Sequence, residues 1–307
     1  MRFLITGGAG SVGSSLTASL LARGYDVRVL DKLIDPLKAL QHPKLELVVG
    51  GIEEQEIVTS VMRDVDIVAH LAWSFSENPQ EIFESDIKGH LNLLEAALGC
   101  GVKHFIYTST AVVYGVPESI PINEKHPCDI RKARKPLYAI AKLTAENLCL
   151  MYNNERNLPN TILRFWWAYG ENIGGRHLRE LIRTAMEGKT IQVPEKAGGS
   201  FLYLDDFVHQ FELTALNQKT YGEILNVATV YVTWQEIAEM IVELVGSGKV
   251  VVVPQKEWTG SAFIANSWHL DTTKAQQILG YTSVYDEDKA KKLLREAIKW
   301  SVEQLRT

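Results

Sequence analysis

Tyr138 and Lys142 stand four residues apart in Tyr138-Ala-Ile-Ala-Lys142, so on a helix both side chains fall on one face. A phenol with a pKa of about 10 is a poor base at neutral pH, and a neighbouring ammonium favours its phenolate. Such a pair can move a proton to or from an alcohol while hydride leaves or joins the carbon. A second constellation opens the chain: Gly7-Gly-Ala-Gly10-Ser-Val-Gly13 sits between an apolar run and an amphipathic stretch. A pyrophosphate needs backbone N–H groups at close range, which a Cβ at Gly7 or Gly10 would block. Gly13 lets the following helix pack tightly, and Ser11 and Val12 belong to the helix N-terminus that faces the anion. Asp31 ends the next apolar run, about twenty residues on, where a carboxylate accepts hydrogen bonds from the adenosine ribose hydroxyls. It also repels a 2′-phosphate, so the pattern favours NAD over NADP, while the adjoining Lys32 works against that preference.

The elements that must hold these residues read as an α/β protein of the Rossmann type, a doubly wound parallel sheet with a smaller substrate lobe. Candidate strands cover residues 2–6, 26–30, 45–49, 66–70 and 104–109, each β-branched or continuously apolar, as strands buried on both faces are. Residues 14–23 and 89–98 carry apolar side chains at helical spacing, a long helix contains 138–153, and 161–165 reads as a further strand. Residues 1–165, with a returning segment over 201–228, are expected to form the dinucleotide-binding domain. Residues 166–200 and 229–307 are expected to form the lobe, with helices near 235–245 and 290–305. Gly198 and Gly199 read as a loop before a short strand over 201–204.

On these residues the chain resembles the extended short-chain dehydrogenase/reductase superfamily, specifically its NAD-dependent epimerase/dehydratase family. The matching motifs run in order: Thr6-Gly-Gly-Ala-Gly10, His70-Leu-Ala72, Thr108-Ser-Thr110-Ala-Val-Val-Tyr-Gly115, Tyr138 to Lys142, Leu163-Arg-Phe165, Tyr169-Gly170, Leu270-Asp-Thr-Thr-Lys-Ala275 and Leu279-Gly-Tyr281. The resemblance implies that Tyr138 is the acid/base, with Lys142 lowering its pKa and bonding the nicotinamide ribose. It implies that Thr110 bonds the reacting oxygen, with Thr108 and Ser109 as neighbouring hydroxyls, and that Ile52, Leu71, Ala72 and Trp73 line the cofactor cleft. A homodimer built through the helices beginning near Gly89 and Tyr138 is implied as well.

Departures from the family bear on the substrate. The adenine-binding acid expected after the third strand is missing from Val49-Gly-Gly-Ile52, and Asp86 and His90 replace an Asn and a Thr. Trp167 and Glu171 stand where the family has Asn and Pro, and Gly199-Ser200-Phe201 lacks the Arg-Asp pair common before Tyr203-Leu-Asp-Asp206. Arginine offers a rigid bidentate fork for phosphate, so its absence weakens the case for a diphosphate-bearing substrate. Trp166, Trp167, Trp234, Trp258 and Trp268 crowd the same half; most are expected to pack, and Trp167 is the one placed near substrate. Two basic sets, Arg131-Lys-Ala-Arg134-Lys135 and Arg176, Arg179 and Arg183, could face solvent or receive an anionic group, with Arg176 the candidate substrate contact.

The composition leaves room for this reading and closes off others. With 307 residues, 46% apolar and 22% charged, the chain can bury a large core, which excludes a disordered protein. A net charge of −5 argues against a general nucleic-acid binder. Cys100, Cys128 and Cys149 are odd in number and widely spaced, pointing to a reducing, cytoplasmic setting, and no histidine falls at a metal-ligand spacing. No apolar stretch is long enough to span a bilayer. The expected activity is epimerisation of a nucleotide sugar through a transient keto form. The alternative is an NAD-dependent dehydrogenase or reductase of a non-nucleotide alcohol, sugar or carbonyl compound. A dehydratase fits less well, because Ala111 and Val112 occupy the Asp-Glu positions expected after Thr110.

Overall fold

The computed structural model describes residues 1–133, 135–170, 175–260 and 264–306. Strand β1 (Arg2–Thr6) leads into helix α1 (Ser11–Ala22), followed by β2 (Asp26–Asp31), β3 (Leu45–Val49), α2 (Gln55–Val61) and β4 (Ile67–His70). The next helix begins as α3 (Pro79–Glu81), widens into a π-helical stretch over Ile82–Lys88, and ends as α4 (Gly89–Gly99). Strand β5 (His104–Thr110), helix α5 (Pro136–Arg156) and strand β6 (Asn160–Phe165) complete the first half. The second half runs through β7 (Trp167–Tyr169), α6 (Arg176–Met186), β8 (Thr190–Pro194), β9 (Gly198–Tyr203), α7 (Leu204–Ala215), β10 (Glu223–Asn226) and β11 (Val230–Thr233). It closes with α8 (Trp234–Val245), β12 (Lys249–Val253), β13 (Ser267–Trp268), α9 (Thr273–Leu279) and α10 (Glu287–Arg306).

Among the described residues, seven strands form one sheet in the order β10-β6-β5-β4-β1-β2-β3, every pair parallel. Successive side chains along a strand point to opposite faces, and both faces here are apolar. Phe3 and Ile5 of β1 pack with Leu16, Leu20, Phe207 and Phe211 of α1 and α7. Leu4 points the other way, among Val58, Leu93, Leu94, Ala145 and Cys149 of α2, α4 and α5. The strand order steps outward in both directions from the β1–β4 pair, which opens a crevice at the carboxyl ends of those strands.

A separate core cluster holds Trp166, Phe201, Trp234, Trp268, Leu294 and Ile298, around a four-stranded sheet of β7, β9, β11 and β13. Here the structure corrects one expectation. Gly198 and Gly199 lie inside β9, not in a loop before it, and the strand ends at Tyr203 with Leu204 already in α7. A Cβ on Gly199 would come within 2.0 Å of the Trp166 ring, and one on Gly198 within 2.4 Å of the Val232 carbonyl oxygen. These glycines let a ring and a neighbouring strand approach the backbone, a role that local turn statistics do not distinguish from punctuation.

One buried ion pair ties α5 to the sheet. Arg164 on β6 donates from Nε to Glu146 Oε1 at 2.9 Å and from Nη2 to Oε2 at 2.5 Å, with side-chain exposures of 3% and 1%. Ser109 Oγ on β5 donates to the same carboxylate. Removing one partner of such a pair strands a charge in a dry interior. Arg164→Met is therefore expected to lower the unfolding free energy by about 3–5 kcal/mol in urea titrations, and Glu146→Leu added to it to restore most of that loss.

Candidate active site

The glycine loop is dictated by what surrounds it. Gly7 has φ +71°, and a Cβ there would lie 2.6 Å from the Ala72 backbone nitrogen, so this turn has no room for a side chain. A Cβ on Gly13 would meet the Gly7 carbonyl oxygen at 2.2 Å. Gly10 differs: its Cβ would touch only the Gly7 oxygen, at 3.3 Å, so the protein itself hardly demands glycine there. Gly10 is the N-cap of α1 and supplies no side-chain cap, which leaves the first N–H groups of the helix, including those of Ser11 and Val12, available to an anion. The Val12 side chain turns inward onto the core.

A cavity of about 430 Å³ lies over this loop. It is lined by Gly7 and Gly10, by Asp31 at the end of β2 and Lys32 after it, by Ile52, and by Leu71, Ala72 and Trp73 after β4. Asp31 is held in place, its Oδ2 accepting from the Ala9 N–H at 3.0 Å and its Oδ1 from the Leu33 N–H at 3.2 Å. Close backbone approach at Gly7 and Gly10, an uncapped helix start and an oriented carboxylate fit the pyrophosphate and adenosine ribose of a dinucleotide.

Three consecutive hydroxyls on β5 are separated by their partners. Thr108 Oγ donates to the His70 carbonyl at 3.0 Å, Ser109 points to the opposite face and Glu146, and Thr110 Oγ1 accepts from the Val112 N–H at 3.3 Å with its hydroxyl near the Tyr138 phenol. Strand alternation turns Ser109 to the face that α5 covers and leaves Thr110, the last residue of β5, at the open end of the sheet. Lys142, one turn after Tyr138 and fully buried, donates to the Thr108 carbonyl oxygen at 2.9 Å. Its ammonium also lies 3.8 Å from the centre of the Trp73 ring, a cation–π contact in a water-poor setting.

Burial pulls the Lys142 ammonium down to about 7, with the carboxylates of Asp86 and Glu146 acting in the opposite direction. Burial pushes the Tyr138 phenol well above the usual tyrosine range, opposed by the nearby Thr110 hydroxyl. The nearby His70 and His90 stack with ring centroids 5.0 Å apart, and burial holds both well below the usual imidazole range, so they are neutral.

Several residues at this site were given no role by the sequence. Asp86 lines the cavity and accepts from the Ser74 N–H at 2.9 Å and the Ser74 hydroxyl at 2.7 Å, while burial pushes its carboxyl up. Phe75 is 69% exposed, has φ +54°, and stacks on Tyr138 with ring centroids 5.8 Å apart. Glu53 lines the adenosine end of the cavity and pairs with Lys32 at 2.5 Å. A Cβ on Gly51 would fall 2.4 Å from Glu53 Oε2, so this carboxylate occupies the space that an acidic side chain at position 51 would use. The cue was available: an acid two residues past an unexpected glycine.

The structure does not gather every candidate. Trp167 packs with Trp166, Phe201 and Trp234 at ring separations of 5.7, 5.8 and 6.0 Å, inside the lobe's aromatic cluster. Arg176 is exposed on the first turn of α6 and bonds Glu180 at 2.9 Å, with neither residue lining the cofactor cavity. Arg131, Lys132 and Lys135 pair with Asp129, Glu118 and Glu77, respectively. Arg134 and Glu171 lie outside the described residues. Among those described, no cluster of His, Cys, Asp or Glu could hold a metal ion, and no helix is long and apolar enough to cross a membrane.

The buried lysine has a measurable signature. Unfolded, Lys142 holds its proton up to about pH 10.4, whereas folded it releases it near 7, so between those values the unfolded state binds more protons. Its contribution to stability therefore rises with pH across that window. Lys142→Met is expected to remove a slope of up to about 1.4 kcal/mol per pH unit, read from urea unfolding of both proteins at several pH values above 7.

Residues 3–228 match the model of the NAD dependent epimerase/dehydratase family. The chain is 26% identical over 313 residues to a UDP-glucose 4-epimerase of Lactobacillus helveticus, covering 92% of each protein. It is 31% identical over 235 residues to a 3-beta-hydroxysteroid dehydrogenase of Mycolicibacterium neoaurum, covering 70% of this chain and 60% of that protein. A crystal structure of DesIV, a dTDP-glucose 4,6-dehydratase of Streptomyces venezuelae with NAD bound, superposes with a TM-score of 0.80 at 25% identity, covering 99% of this chain and 97% of the other. The family match and the glycine-loop cavity agree, and this chain is an NAD-dependent enzyme of the epimerase/dehydratase family.

Proposed function

We propose that the protein epimerises a nucleotide sugar by reversible oxidation of one secondary alcohol. The observation that carries this reading is the Thr110 hydroxyl near the Tyr138 phenol with the buried Lys142 one turn on, next to the cavity built on the glycine loop. Bound in that cavity, NAD supplies a hydride acceptor that can later return the hydride. Thr110 bonds the reacting oxygen and Tyr138 takes its proton, so that the carbon becomes a ketone as hydride leaves. The Lys142 ammonium favours the phenolate form from which Tyr138 takes that proton. Tyr138 then gives the proton back when hydride returns to the other face of the turned sugar. The burial of Tyr138, which opposes ionisation, makes the nearby positive charge necessary for the step. The match to a UDP-glucose 4-epimerase over nearly the whole of both chains supports this reading.

A second reading, an NAD-dependent dehydrogenase of a non-nucleotide alcohol, is favoured by one feature. Where an arginine fork would clamp a diphosphate, Ser200 Oγ is buried and accepts from the Leu270 N–H at 2.9 Å, and Gly199 is packed under the Trp166 ring. Product inventory separates the two. Isomer exchange of a nucleotide sugar without net NADH supports the epimerase, and net NADH from a simple alcohol supports the dehydrogenase. In either case Tyr138→Phe is expected to lower kcat by about a hundredfold or more while NAD affinity, measured by calorimetry, changes little. Full activity in that variant would remove Tyr138 from the chemistry.

A further inference from the structure

At the adenosine end of the cavity, the residue after Asp31 is a lysine whose side chain is 61% exposed. A free ammonium there would receive a 2′-phosphate and cancel the discrimination that Asp31 supplies. Lys32 is not free: its Nζ lies 2.5 Å from Glu53 Oε1. We propose that Glu53 is a specificity-determining residue, holding Lys32 in an ion pair so that the site takes a dinucleotide with an unmodified 2′-hydroxyl and rejects the 2′-phosphorylated form.

Glu53 is placed for this by backbone contacts. The Gly50 N–H donates to the Asp31 carbonyl at 3.0 Å, which ties the turn after β3 to the end of β2. Asn92 Nδ2 donates to the Ile52 and Glu53 carbonyls, both at 3.2 Å, fixing the turn from α4. With no side chain at Gly51, the Glu53 carboxylate folds back toward the strand end, and its Oε2 is buried with no hydrogen-bond partner among the described residues. Two carboxylates, Asp31 and Glu53, then stand against one ammonium where the ribose must lie. A phosphate monoester brings a charge of about −1.5 to −2 into that surplus of negative charge, whereas a hydroxyl brings none. An exposed ion pair contributes little to stability, so its replacement should leave the fold intact while altering the field at the ribose.

The inference rests on dinucleotide binding in this cavity, and calorimetry with the fragments 5′-AMP and 2′,5′-ADP tests it without turnover. Glu53→Gln is expected to tighten 2′,5′-ADP relative to 5′-AMP by about tenfold, a single charge contact's worth of affinity. Adding Lys32→Met to it should abolish the gain, because the released lysine is the receiving group. Glu53→Ala should behave as Glu53→Gln, and unchanged thermal melting shows that each variant is folded. An unchanged ratio of the two affinities in both Glu53 variants, or a gain that survives the loss of Lys32, overturns the proposal. Failure of both fragments to bind the wild-type protein and every variant would instead overturn the cofactor site itself.

Discussion

Arg164 and Glu146 meet where water does not reach, and through that contact helix α5 is seated on the sheet. Glu146 lies one turn beyond Lys142 and two beyond Tyr138, so seating its carboxylate on β6 also fixes the height and rotation of both. The same carboxylate accepts the hydroxyl of Ser109 on β5, whose next residue is Thr110. The relation of Thr110, Tyr138 and Lys142 is thus a consequence of one charge pair that must be satisfied internally. A desolvated pair of this kind adds little net stability over an apolar packing, and what it contributes here is register between helix and strands.

The second determinant is steric. Three parallel strand ends, of β1, β2 and β4, converge on a turn in which Gly7 is pressed against Ala72 and Gly13 against Gly7. That packing leaves the start of α1 without a side-chain cap and open to an anion, and it aligns Asp31 through the Ala9 N–H. Lys142 connects this half of the site to the other, because its ammonium rests on the ring of Trp73, which lines the cofactor cavity, while bonding the strand that carries Thr110. The histidines beneath are kept neutral by burial, so they add no positive charge to compete with that ammonium.

Much of this was legible in the sequence because it is local or periodic. The glycine spacing, the acid at the end of the second strand and the four-residue step from Tyr138 to Lys142 each express a constraint confined to one element and its neighbours. What was not legible depends on distant contacts. Glu53 fills the space of the missing acid only because Gly51 lacks a Cβ and the turn is pinned from α4. Asp86 reaches the cavity from the π-helical stretch before α4, a departure from regular periodicity that no spacing rule anticipates. Trp167 and Gly199 sit where family motifs suggest substrate contacts, yet the lobe uses them for ring-on-backbone and ring-on-ring packing. An apolar or small residue near a site has the same sequence signature in either role.

The most direct test of the central claim, a Rossmann cavity that selects NAD for chemistry at Tyr138, is to denature protein purified without added cofactor and identify any released dinucleotide by mass. The emptied, refolded protein would then be titrated with NAD and NADP. NAD is expected, either carried through purification or bound saturably at one site, with NADP weaker. NADP carried in its place, or no saturable binding of either, would contradict it.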